Sequence, residues 1–333
     1  MNTELSEIMS KPGRILNWAG KIVYSSALDS EEKEISEVMD NWAKNIGVTG
    51  CDEGHEISQL IKKTITQDTV TTPSELMSTL FDDAGSIGEF DDFVGDVAPE
   101  NTIKVYEAAR GGNVDRSFIE PTSLKPTWKS LQAETDLRLV DIRKGGYKTV
   151  ANLMTYISEA LDLQKYKIVC DLIDKAVTSG AAGYISESTA APTEGSTDKL
   201  IVYLQDVCDG SAIQLFGINK YIYSVASFTK AQNFATDAVK NQFNTTGLIK
   251  TYGGAILTGL SGTKTVATGG VILPEKKLFG AAGKIGQMVT RGETISLQET
   301  DINNETIHIK VGGYTFGTML TNEQHIGKIV MAS

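Results

Sequence analysis

The sequence predicts an α+β fold, and three observations carry that expectation. Residues 147–179, YKTVANLMTYISEALDLQKYKIVCDLIDKAVTS, read as one unbroken helix. Residues 102–140, just before it, break into the short runs and turn residues typical of strands. The tail from residue 284 to 320 alternates apolar and polar side chains as antiparallel strands do.

The first fifty residues read as helical and semi-independent. Asp29-Ser30 precede EEKEISEVMDNWAKNIG, with acids in the first turn, Ile35, Val38, Met39 and Trp42 on one face, and Gly47 at the end. Trp18, Ile22 and Val23 form a second apolar patch. Such surface helices need a partner, and a neighbouring subunit is expected to supply it. Residues 56–64 read as a short helix, 65–73 turn extended before Pro73, and SELMSTLFDDAG reads as a helix capped by Ser74 and stopped by Gly85. FDDFVGDVAPENT is then an acidic connection.

Within residues 102–140 the turn Gly111-Gly112-Asn113 signals a hairpin. Pro121 and Pro126 exclude a central strand nearby, so the segment is expected to protrude as an edge ribbon. Its apolar residues Phe118, Leu124 and Trp128, together with Trp42, then need a neighbouring molecule to cover them.

The long helix has the clearest pattern. Val150, Met154, Ile157, Leu161, Ile168, Leu172 and Ala176 recur at helical steps, although an ordinary core helix would show the same stripe. Gly145-Gly146 breaks the chain before it, and Gly180 stands where a left-handed cap would follow. At 1.5 Å per residue it spans roughly 45 Å, too long for a compact small domain, so a broad, thin subunit is expected. Residues 181–198 are a small-residue loop. Beyond them DKLIVYLQDVCDG, SAIQLFG, INKYIYSVASF, TKAQNFATDAVKNQF and TGLIKTYGGAILTGL alternate helix and strand patterns, a mixed α/β domain. The strand-rich tail follows, with Asn303-Asn304 at a turn.

Composition narrows the function. The chain has 333 residues, 22% charged, and a formal net charge of -11, which argues against a surface built to grip phosphates. The charge is uneven. No Lys or Arg occurs between Thr64 and Ile103, where Asp82, Asp83, Asp91 and Asp92 lie, whereas Lys276, Lys277 and Lys284 fall in a basic stretch whose one acid is Glu275. Such blocks suit pairing between subunits, and two separately solvated faces would look the same. No run approaches a membrane span, and the N-terminus lacks a basic region followed by an apolar run, so neither membrane nor secretion is expected. Cys51, Cys170 and Cys208 are too scattered for a disulfide framework or a zinc site. His55, His308 and His325 are equally scattered, and Gly259-Leu-Ser-Gly262-Thr-Lys264 lacks the Gly that a phosphate loop places before its Lys. No catalytic residue, cofactor or metal is expected.

The order of parts resembles the major capsid protein of tailed bacteriophages, the HK97-like fold. FNTTGLIKTYGGAILTGL looks like that family's late α/β-domain stretch, and LFGAAGKIGQMVTRGETISLQET looks like its strand returning to the peripheral domain. The resemblance covers residues 65–333. It implies an N-terminal arm over 1–64, a peripheral domain over 65–195 with an E-loop at 103–141 and a spine helix at 147–179, an axial domain over 196–285, and return strands over 286–333. It further implies hexamers and pentamers of an icosahedral head around double-stranded DNA, assembled in a host bacterial cytoplasm, with portal, scaffolding and decoration or cement proteins as partners. Some members crosslink a Lys to an Asn, for which Lys125 or Lys129 with Asn303 or Asn304 are the conceivable pairs. Two rivals stand beside it: an encapsulin-like shell around protein cargo, and an unrelated α/β binding protein or enzyme.

Overall fold

The computed structural model describes residues 10–45, 59–62, 75–97, 122–208, 210–228, 250–263, 271–292, 295–301, 305–312 and 315–332. The expected turns at Gly111, Gly112 and Asn113 and at Asn303-Asn304, and the side chain of Phe118, lie outside these residues.

The chain begins with two helices, α1 (Pro12–Val23) and α2 (Ser30–Asn45). Asp29 and Glu32 cap α2 reciprocally: Asp29 Oδ1 accepts from the Glu32 amide at 2.8 Å, and Glu32 Oε2 accepts from the Asp29 amide at 2.9 Å. Glu32 also pairs with Lys21 at 2.6 Å, tying α2 to α1. Trp18 is fully buried, and its Nε1 donates to Ser36 Oγ at 2.9 Å. Trp42 is 9% exposed within the chain itself. This corrects the expectation that a neighbour must cover it, because the apolar faces of α1 and α2 pack along the chain's own long helix.

Helix α3 (Glu75–Leu80) stops early, and strand β1 (Phe81–Ile87) replaces the helical turn expected up to Gly85. Phe81 is buried, and pairing with a later parallel strand outweighs the local helical pattern. Short strands β2 (Gly95–Val97) and β3 (Thr122–Leu124) pair with each other, followed by β4 (Thr127–Ser130) and β5 (Ala133–Arg138). The strand pattern expected through residue 140 ends at Arg138, where the short helix α4 (Leu139–Gly145) begins. Gly146, at φ +55°, turns the chain into α5 (Tyr147–Ala176), a helix of 30 residues. That backbone conformation is the reason for glycine here, since the nearest atom to an added Cβ is the movable carboxylate of Asp40.

Val150, Met154, Ile157 and Leu161 are buried as their spacing predicts. Past Leu161 the buried stripe drifts to Lys165, Val169 and Ile173, and Ile168, Leu172 and Ala176 are only partly covered. A straight helix rotates away from a seven-residue repeat, which displaces the stripe by one position.

Next come β6 (Tyr184–Ser186), α6 (Glu194–Val207), β7 (Ile213–Ile218) and α7 (Asn219–Ala226), then β8 (Thr251–Tyr252), β9 (Ala255–Leu260) and β10 (Lys277–Ala282). The tail adds β11 (Gly286–Arg291), β12 (Ile295–Asp301), β13 (Thr306–Gly312), β14 (Thr315–Leu320) and β15 (Ile326–Val330). A six-stranded sheet runs β6-β15-β10-β7-β9-β8. Its central β7, IQLFGI, is buried along nearly its whole length because both sheet faces are covered. Phe216 and Phe279 stack at 5.5 Å and join the core that includes α5, while Leu215 and Leu278 point into a second core with Leu200, Ile201 and Leu204 of α6.

A four-stranded sheet runs β1-β11-β14-β4, and a three-stranded one β12-β13-β5. Strand β4, flanked by Pro126, stands at a sheet edge, where its position relative to proline is allowed. The tail divides in a way the sequence did not suggest. Strands β11 to β14 build the two smaller sheets, but β15 enters the six-stranded sheet between β6 and β10.

Candidate assembly surface

Strands β2 and β3 pair with Gly95 facing Leu124, at the two ends of the undescribed stretch that includes much of the expected ribbon. Leu124 and Val94 are exposed there, and Phe90 in the preceding loop is 94% exposed. Among the described residues these are exposed apolar side chains. Trp128 on β4 is covered: the Arg291 guanidinium lies 4.5 Å from its ring centroid, and a Cβ at Gly317 on the facing strand would meet the ring at 2.7 Å. Trp128 is thus half-buried by its own subunit, with a smaller need of a neighbour than its position in the ribbon implied. Neither Arg291 nor Gly317 was legible in the sequence, since only strand register brings them to Trp128.

The acidic residues have short-range roles. Asp83 accepts from the Gly85 amide at 2.8 Å, and Asp91 accepts from the Gly88 amide at 3.1 Å, each shaping a turn. Asp82 lies 3.5 Å from Lys284, and Asp92 lies 4.0 Å from Lys125, both exposed pairs. Exposed pairs of this kind contribute only about 0.2–1 kcal/mol.

The basic residues are engaged inside the chain. Lys284 Nζ donates to the carbonyls of Ser78 and Phe81, fastening the α3–β1 junction to the start of β11. Lys276, at φ +62°, gives its amide to the Tyr221 hydroxyl at 3.1 Å. Lys277 donates to both carboxylate oxygens of Asp174, at 2.9 and 2.7 Å. Among the described residues the acidic span and these lysines meet through Asp82 and Lys284.

Asp174, near the C-terminal end of α5, is a clasp the sequence pattern did not single out. Besides Lys277 from β10 it accepts from Lys328 of β15 at 2.9 Å, and Lys328 also donates to the Asp174 carbonyl at 2.8 Å. Burial by itself raises the pKa of this carboxyl, but the hydrogen bonds and charges of Lys277 and Lys328 outweigh it and hold the group below the ordinary aspartate range. The clasp ties the long helix to two adjacent strands of the six-stranded sheet.

The Cys170 thiol, buried in α5, is pushed up to about 12 by burial, so it is protonated at neutral pH. Among the described residues no group of three or more His, Cys, Asp or Glu converges on a metal-sized site. No described helix is long and apolar enough to cross a membrane.

Comparison with known proteins follows from this architecture. Residues 7–330 match the model of the YonB family, described as "SPbeta prophage-derived putative capsid protein YonB". No curated protein sequence matches the chain. Among solved structures, the capsid of cyanophage P-SCSP1u is similar at a TM-score of 0.56 and 10% identity, covering 77% of this chain and 88% of that one. The capsid of the native GTA particle is similar at 0.55 and 9% identity, covering 79% and 91%. A Gordonia phage Cozz structure is similar at 0.52 and 12% identity, covering 79% and 88%. At such identities the likeness speaks for the fold, the HK97-like arrangement of long helix, sheets and return strands anticipated from the sequence. With nearly the whole length matched by one family model, the chain belongs to the YonB family of prophage-derived capsid proteins.

Proposed function

We propose that this protein is the major capsid protein of a tailed-phage head, building hexamers and pentamers of an icosahedral shell that encloses double-stranded DNA. The family match over residues 7–330 carries this reading. Two physical features support it. The exposed Phe90, Val94 and Leu124 beside the β2–β3 pair offer apolar area to a neighbour. The net charge of -11 lets a polyanion be enclosed without sticking to the shell wall. Weak contacts are enough for closure, because each subunit makes several at once and the later ones form at high effective concentration.

Assembly in a host bacterial cytoplasm, with a portal and a separate scaffolding protein and room for a decoration protein, completes the proposal. The extent of the ribbon gives the test. Replacing residues 111–125 with a short Gly-Ser turn is expected to leave a folded subunit of near-native helix content that no longer closes shells. Circular dichroism and electron microscopy read both properties on one variant. Normal shells from that variant, or a parent chain that sediments as a monomer at all concentrations and salts, would overturn the reading. Parent particles filled with protein and free of nucleic acid would overturn its genome-enclosing part.

A further inference from the structure

The outer face of the three-stranded sheet carries a titratable row with no part in the contacts described above. From residue 306 to 311 strand β13 alternates: Ile307, Ile309 and Val311 are buried in the core, so Thr306, His308 and Lys310 face outward. Strand register sets the neighbours of each. His308 stands opposite Glu299 of β12 on one side and Asp136 of β5 on the other, and its Nδ1 lies 2.6 Å from Asp136 Oδ1. The flanking rows differ. Lys310 sits between Leu297 and Glu134, and Thr306 sits between Asp301 and Arg138.

Among the described residues, the carboxylates on this face are Glu299 and Asp301 of β12 and Glu134 and Asp136 of β5, and the permanent cations are Lys310 of β13 and Arg138 of β5. Lys310 has Glu134 directly across from it, and Arg138 lies one row away from the imidazole. The middle row therefore has an acid at each end and only His308 between them. A neutral imidazole leaves two negative charges on the outer strands with no cation in their row. A protonated one places a cation between two anions on adjacent strands, about 4.8 Å away on either side, where opposite charges facing across a sheet are stabilising.

The surroundings favour the charged form. The hydrogen bond to Asp136 holds His308 above the ordinary histidine range, and the charges of Asp136, Glu299 and Asp301 add to it against a smaller effect of desolvation. An imidazole raised in this way contributes stability that is complete below its ordinary value of 6.5 and is lost as pH rises through the higher folded value.

Placement gives the row its reach. Strand β5 closes the segment expected to form the ribbon and leads directly into α4 and then α5. Strand β12 is the opposite edge of the sheet, and β13 is the one strand that joins the two. We propose that His308 is a proton-operated clasp: protonated, it holds β12 and β5 to β13 through Glu299 and Asp136, and on losing its proton it loosens both strands.

Hydrogen exchange of the full-length chain at about pH 5.5 and about pH 8.5, on either side of the ordinary histidine value, tests the clasp once rates are corrected for the intrinsic pH dependence of amide exchange. From the acid to the basic condition, exchange in residues 133–138 and 295–301 is expected to speed up about two- to fivefold relative to β7, the effect of losing an exposed ion pair. His308→Gln should exchange at the faster rate in both conditions. His308→Lys keeps a cation in the row and should exchange at the slower rate in both, which separates the charge from the shape of the ring. In the parent, the His308 imidazole resonances should titrate over the same pH interval as the exchange response, a reading that needs no variant to fold. The proposal is overturned by a parent without the response, by a response that survives in His308→Gln, by His308→Lys exchanging as fast as His308→Gln, or by imidazole titration outside the interval of the response.

Discussion

Asp174 is a polar side chain that links three elements. It joins α5 to β10 and β15 through Lys277 and the buried Lys328. Replacing it with Asn leaves Lys328 with the Asp174 backbone carbonyl and without its counter-charge, and a lost charged hydrogen bond of this kind costs roughly 1.5–3 kcal/mol. Asp174→Asn is therefore expected to lower the unfolding free energy by that amount at neutral pH, read from denaturant titration. The pH dependence follows from the direction of the shift. A carboxyl held below its ordinary value of 3.8 stabilises the fold fully above that value, and the contribution is lost as pH falls toward the lowered folded value. The stability difference between parent and variant should thus shrink below about pH 4. A difference that stays constant down to pH 2 would mean that the carboxylate charge is not what holds the clasp.

At the scale of elements, the helical pair α1–α2 belongs to the subunit core. Trp18 is fully buried, hydrogen-bonded to Ser36, with its ring centroid 6.3 Å from that of Tyr147 at the start of α5. Trp18→Ala removes that packing, and large aromatic truncations in cores cost about 3–5 kcal/mol. The expected result is an unfolding free energy lowered by that amount, with faster amide exchange in residues 12–45 than in β7 and β10. Unchanged stability, or exchange in residues 12–45 no faster than in the parent, would show that Trp18 does not hold the pair on α5. The capping reciprocity of Asp29 and Glu32 was legible in the sequence because it is a local device, set by a three-residue spacing. The face that α1 and α2 bury against was not, since apolar periodicity says that a helix needs a partner without saying which one.

At the scale of the whole molecule, the acidic span and the lysines were expected to bridge subunits, and the structure engages Lys277 and Lys284 inside one chain. Asp91 and Asp92 are exposed, with Asp91 bonded to the Gly88 amide and Asp92 facing Lys125. Neutralising Asp82, Asp83, Asp91 and Asp92 together is expected to weaken assembly modestly and to reduce its salt sensitivity, because such exposed contacts are worth only about 0.2–1 kcal/mol each and are screened by ions. Light scattering across ionic strengths measures this. Assembly of the parent that is independent of salt would remove the charge blocks from the shell contacts.

Taken alone, the sequence determined the elements whose causes are local: the long helix between Gly146 and its C-terminal end, the capped α2, the mixed helix-strand region, the alternating tail, and from their order the capsid fold. Tertiary structure decided what depends on partners distant in the chain. Residues 81–85 read as helix and became β1, because a parallel strand far along the sequence offered backbone hydrogen bonds and a buried place for Phe81. Trp128 received Arg291 and Gly317, and β15 joined the six-stranded sheet, through registers that no periodicity specifies. Periodicity fixes which face of an element is apolar, but the free energy of burying that face is non-directional, and only the assembled chain selects what covers it.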